Sequence, residues 1–240
     1  TLKNKKDIFI DDISSENYRL FIEAYTAAFI SWQVASPFNF GPGEKAYIEP
    51  LFTEINTFPV DINAIEDLIS NGETIDIYRD RDRRGFVAID YIIASRTETE
   101  ILELFQDPNR VLYFSVVVDD IYDRINEVLS AWESGYRDEF VNDSRTSGGS
   151  SIYFYYNQFV KSFELIKQFK LGLPAGLRVG QSEIRPDQLE TRYLNIAHDL
   201  LYRHLEVTER IWFGKSTDGV NGVGFDDFLT ALGETELRDE

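Results

Sequence analysis

Side chains able to hold a metal, move a proton or attack a carbonyl form a narrow set in this chain of 240 residues. There are 42 Asp and Glu, two His and no Cys. Without cysteine there is no thiolate nucleophile, no disulfide framework and no sulfur-ligated zinc or iron–sulfur site. His198 and His204 stand six apart, so on a helix they project from different faces and cannot share an ion unaided. No His-Glu-x-x-His pair of the zinc peptidases occurs, and both histidines read as ordinary surface or core residues. Serine chemistry needs a base beside the hydroxyl and a third group behind the base; no Gly-x-Ser-x-Gly elbow is present. Residues 218–227 are acidic like a calcium loop, but Gly and Val stand where an EF-hand needs oxygens and no Glu closes the loop. They read as a loop with an Asp N-cap for a last helix. The Gly/Pro stretch at 171–180 lacks the Lys-Thr ending of a phosphate-binding loop. Two carboxylates can hydrolyse glycosides, but 42 acids produce pairs by accident.

Polar groups placed where apolar ones are due are more telling. Asp90 interrupts the run Phe86-Val87-Ala88-Ile89-Asp90-Tyr91-Ile92-Ile93. Asn157 and Glu164 are seven apart, hence on one helix face, with Lys167 a turn beyond Glu164. One reading makes Glu164 and Lys167 a surface pair. The other makes these residues a polar cluster along a cleft, which needs partners to offset burial.

The elements that must position them are helical. Tyr18, Ile22, Tyr25, Phe29 and Trp32 recur every three or four residues, which predicts a helix from Ser14 or Ser15 to about Pro37, then a tight loop through Phe40-Gly41-Pro42. A short helix is predicted over 44–55, and another over 62–70 with Asp61 as N-cap. The charged run 79–84 reads as a solvated helix entry. Residues 85–94 fit a strand or a buried helix, and their helical neighbours favour the helix. One long helix is predicted over 108–142, a linker over 144–151, and helices over 152–170, 186–213 and 225–232. No β pattern is evident. The fold class is all-α, with two helical-bundle (four-helix-bundle-like) domains expected at 1–105 and 106–240.

The formal charge is −18. It argues against DNA and RNA, whose phosphates need Lys and Arg, and against anionic lipid. It leaves cations, a basic partner or a merely soluble acidic surface. No apolar run approaches the roughly 18–20 residues of a membrane span, and no secretory signal is visible. Beginning at Thr1 and lacking Met, the chain is expected to be a processed form.

Trp32…Phe40-Gly41-Pro42, Asn56-Thr57-Phe58-Pro59-Val60-Asp61 and Gly85-Phe86-Val87-Ala88-Ile89-Asp90-Tyr91 together resemble the imelysin-like family. Thr146-Ser147-Gly148, Asn157, Glu164, Lys167, Leu171-Gly172-Leu173-Pro174-Ala175-Gly176, Pro186, Glu190 and Tyr193 extend the resemblance over residues 15–230. It implies an all-α protein of two bundles with a cleft near their junction. It further implies bacterial export to the periplasm or outer membrane, often as a lipoprotein, and a link to iron uptake or to metallopeptidase activity. The family signature is Gly-x-His-x-x-Glu. Gly85 keeps its first position, but Val87 stands for the His and Asp90 for the Glu. Valine neither binds metal nor moves a proton, so the peptidase activity is not carried over.

The expected function is therefore that of an exported, non-catalytic binding protein for iron, an iron complex or a cell-envelope protein. Its ligand residues are expected to be Trp32, Phe40, Glu44, Gly85, Asp90, Tyr91, Asn157, Glu164, Lys167 and Glu190, with iron the one cofactor suggested and no metal ligands assigned. The alternatives are a metallopeptidase using Asp90 with His198 or His204, and a partner-docking envelope protein without a small ligand.

Overall fold

The computed structural model describes residues 1–45 and 50–239. Among them there is no β-ladder, only one isolated bridge between Lys215 and Asn221. Helix α1 (Leu2–Asp11) is capped by the Thr1 hydroxyl, which accepts the Asn4 N–H. Helix α2 (Ser15–Ala35) starts at Ser14, which accepts the Asn17 N–H. Its three-and-four spacing buries Tyr18, Phe21, Tyr25, Phe29 and Trp32 on one side. Short helices α3 (Pro42–Lys45) and α4 (Leu51–Ile55) lie at the two ends of the helix predicted over 44–55; its middle, 46–49, lies outside the described residues. Helix α5 (Ile62–Asn71) uses Asp61 as its N-cap and stops at the left-handed Gly72. Helix α6 (Gly85–Ala94) is the buried helix anticipated there.

A capping box between Thr97 and Glu100 opens α7 (Glu98–Leu104), and Asp107 caps α8 (Pro108–Ala131). The single helix predicted over 108–142 is broken. A π-helical turn, Trp132–Tyr136, intervenes before α9 (Arg137–Asn142), and Gly135 sits at φ 142, outside helical space. Ser150 caps α10 (Ser151–Leu165), which runs into a second π-helical turn, Ile166–Gly172. The helix predicted from 186 is also corrected. Only a 3₁₀ turn forms at Pro186–Gln188, and α11 is Ala197–Trp212. The intervening chain is spent on turns, with Asn195 in the left-handed region. Helix α12 (Phe225–Leu232) is capped by Gly224 rather than by an Asp, and the Asp227 carboxylate accepts the Gly224 N–H at 3.1 Å. Helix α13 (Thr235–Asp239) closes the described chain.

The main core gathers Phe9, Phe21, Phe29, Ile65, Phe86, Ile92, Phe114, Val117 and Leu200 from six helices, together with Phe105 at the C-cap of α7. The boundary expected at 105/106 falls inside this cluster, where Phe105 meets Phe114 at 5.0 Å between ring centroids. Each such phenyl ring contributes about 1.5–3 kcal/mol by leaving water. A second, smaller cluster joins Val207, Ile211 and Phe225 with Phe159 and Trp212. Helix α11 belongs to both, through Leu200 at one end and Ile211 at the other.

The charged run 79–84 is only partly solvated. Arg79 and Arg81 are exposed, but Arg84 is 2% exposed and lies 3.7 Å from the Glu54 carboxylate and 3.6 Å from that of Asp120. Arg124, also buried, pairs with Glu54 and donates to Asp120 at 2.7 Å. Two guanidinium groups thus face two carboxylates inside the fold, so burial leaves no net charge there.

Candidate functional site

The site lies where α6 meets the turns before α11. Gly85 opens α6 at φ 81, and a Cβ there would run into the Ile55 carbonyl, so only glycine fits. The helix is held from α2 by two phenols: Tyr25 Oη donates to the Phe86 carbonyl and Tyr18 Oη to that of Ile93, both at 2.8 Å. This fixes Asp90, which is 1% exposed. Its Oδ2 accepts the Tyr193 N–H and its Oδ1 the Leu194 N–H, each at 3.0 Å. Burial pushes the carboxyl up to about 6, against the pull of those backbone N–H groups. Asp90 therefore anchors an irregular turn that has no ladder of its own.

Next along α6, Tyr91 Oη donates to Glu66 at 2.7 Å, and Arg110 holds the same carboxylate at 2.7 and 2.8 Å. Burial and the Glu66 hydrogen bond raise the Tyr91 phenol well above its ordinary value. The Tyr193 ring lies 5.7 Å from that of Tyr91. At the head of the same turn Glu190 is 3% exposed. Asn56 Nδ2 donates to its Oε1 at 2.7 Å, and the Lys170 ammonium pairs with its Oε2. Lys170 also donates to Gln33 Oε1 at 2.9 Å. Burial lowers the Lys170 amine, and Glu190 opposes that shift. These four residues come from α2, the chain after α4, the second π turn and the segment before α11, so they tie remote segments together. Tyr25 stands near both acids: burial, then Asp90, then Glu190 raise its phenol.

Of the residues singled out in the sequence, Gly85, Asp90, Tyr91 and Glu190 come together here. Trp32 and Phe40 are buried elsewhere; Phe40 packs on Trp132 at 5.7 Å and on Phe140 at 5.1 Å. Glu44 is exposed. Asn157 is exposed on α10, donating to the Tyr153 carbonyl at 2.8 Å. Glu164 and Lys167 form the surface pair, 3.5 Å apart with both side chains open to solvent. A polar cluster does exist, but its lysine is Lys170, and sequence reasoning missed Gln33, Asn56 and Tyr25. The one available signal was a run of polar groups on otherwise aromatic helices.

His198 is exposed. His204 is 1% exposed, its Nε2 lies 2.6 Å from Ser162 Oγ, and burial drops its pKa to about 3. The two histidines do not converge with Asp90 in any group of three or more metal-ligating residues among the described residues. The metal of a peptidase does not fit the signature position: Val87 offers no donor, and both Asp90 oxygens are engaged by amides.

The same architecture occurs in a crystal structure from Parabacteroides distasonis ATCC 8503, provisionally named an iron-regulated protein A precursor. The likeness has a TM-score of 0.71 at 16% identity and covers 95% of this chain and 72% of that one. No curated protein matches the chain. The imelysin family model (peptidase M75) matches residues 1–239, and the chain belongs to the imelysin family.

Proposed function

We propose that this chain is a non-catalytic imelysin-family binding protein of the bacterial cell envelope, exported as a lipoprotein and serving the uptake of iron or an iron complex. The observation that carries the reading is the use made of Asp90. The acid at the signature position holds the backbone of residues 193 and 194 with both oxygens and is not free there to activate water. The name of the structural neighbour, which refers to iron regulation, supports the iron assignment.

Ligand contact falls to the half-buried Tyr91 and Tyr193 above Asp90, since phenol oxygens suit a hard ferric centre. The test is a calorimetric titration with ferric citrate and with haem, on the native chain and on Tyr91→Phe/Tyr193→Phe. Saturable binding lost in the double variant supports the reading; absence of binding to either probe overturns it. Chelator-sensitive cleavage of an unfolded polypeptide would overturn its non-catalytic half. A second reading, docking of an envelope protein, is favoured by one observation. Ile152, Tyr156, Val160 and Phe163 stand exposed at helical spacing along α10.

A further inference from the structure

A cavity of about 510 Å³ opens between α1, α2 and α8, away from Asp90. Its size is that of a small-molecule site. Trp32, Phe86, Tyr122, Ile125 and Trp132 wall it with apolar surface, and Asn39 is the buried polar residue among its lining.

Two donors on that lining lack acceptors among the described residues. The Trp32 indole N–H is sealed from solvent and has no hydrogen-bond partner among the described residues. Asn39 is 7% exposed, and its Oδ1 accepts the Phe52 N–H at 3.4 Å, which fixes the orientation of the amide. Its Nδ2 then has no acceptor among the described residues. The Nδ2 is not among the side-chain atoms sealed from solvent, so it can reach a ligand, and an oxygen placed against it gains about 0.5–1.5 kcal/mol. The Lys3 ammonium at the rim is already neutralised by Asp119 at 2.6 Å, so it does not call for an anionic ligand.

We propose that this cavity binds a neutral, largely aromatic or aliphatic small molecule carrying one hydrogen-bond-accepting oxygen, which takes the Asn39 amide N–H. The site is separate from the one proposed for iron, and either can fail alone.

The test uses the uncharged fluorophore N-phenyl-1-naphthylamine and its displacement by benzophenone or by diphenylmethane, which lacks the oxygen. The native chain should bind the dye saturably. The ketone should compete roughly five- to tenfold better than the hydrocarbon, the worth of about one hydrogen bond. Asn39→Asp keeps the acceptor for Phe52 but removes the donor, so it should erase that preference. Ala28→Phe, which fills the cavity, should abolish dye binding while circular dichroism and melting stay native. If that variant does not fold, Val128→Phe fills the same space from the opposite wall. Absent dye binding, equal competition by ketone and hydrocarbon, or unchanged binding in a folded filled variant would each overturn the proposal.

Discussion

The cluster around Phe9, Phe21, Phe105 and Phe114 and the one around Val207, Ile211 and Phe225 are both rich in rings, yet they close differently. In the first, Phe9 meets Phe105 and Phe21 meets Phe114 at 4.9 Å, and none of these side chains is more than 1% exposed. In the second, every core member keeps 4–8% of its surface in water. Each region also holds a buried group displaced from its ordinary titration, Asp90 upward and His204 downward. Asp90 titrates near 6, above its ordinary value of about 3.9, so the folded chain keeps that proton to higher pH. Its contribution to stability is complete below about pH 4 and is lost as pH rises through 6. His204 titrates near 3, below about 6.5. Its contribution is complete above 6.5 and is lost as pH falls towards 3. Acid should therefore loosen the α10–α11 region while relieving the strain of burying Asp90.

The largest expected effect comes from breaking the tie between the two regions. Lys170→Met or Glu190→Gln alone strands a buried partner and should cost about 3–5 kcal/mol in urea unfolding. The double substitution should return much of that; single losses below about 1 kcal/mol would show the pair to be dispensable. Next comes acid. Between pH 6.5 and 4.5 the His204 region should lose about 2–3 kcal/mol, at 1.36 kcal/mol per unit. Trp212 fluorescence reads this in a Trp32→Phe/Trp132→Phe background, and His204→Leu should abolish the trend. Asp90→Asn sharpens the other side. It should remove about 2 kcal/mol of stabilisation gained on going from pH 7.5 to 4.5, at 1.36 kcal/mol per unit, seen as parallel rather than diverging unfolding midpoints. The smallest effect is expected at the α8–α9 kink. Gly135→Ala puts a side chain at φ 142 with open space around it, so only backbone strain is added, about 1–2 kcal/mol by thermal melting.

Most helices were legible because periodicity and caps agree. Ser14, Asp61 and Gly72 act where their types predict, and α12 is predicted to the residue. Two of the misses share a physical cause. Trp132–Tyr136 and Ile166–Gly172 adopt π-helical turns, which take more residues per turn than a 3.6-residue count assumes. Within the second of these the inward-facing lysine is Lys170, three positions past the one selected by α-helical phase. Arg84 was read as solvated because local charge alternation says nothing about Glu54 and Asp120, which reach it from other helices. Likewise Asp90 was recognisable as displaced into an apolar run, but its partners are backbone groups of residues 193 and 194, a hundred positions away and in no regular element.

The tight approach of Gly85 to the Ile55 carbonyl bears on how a signature decays. In a lineage that sheds the reaction, selection on the ligating side chains lapses, while the demand for a residue without a Cβ persists because folding itself enforces it. A glycine at this position therefore reports the packing of the scaffold, whatever stands at the third and sixth positions of the signature.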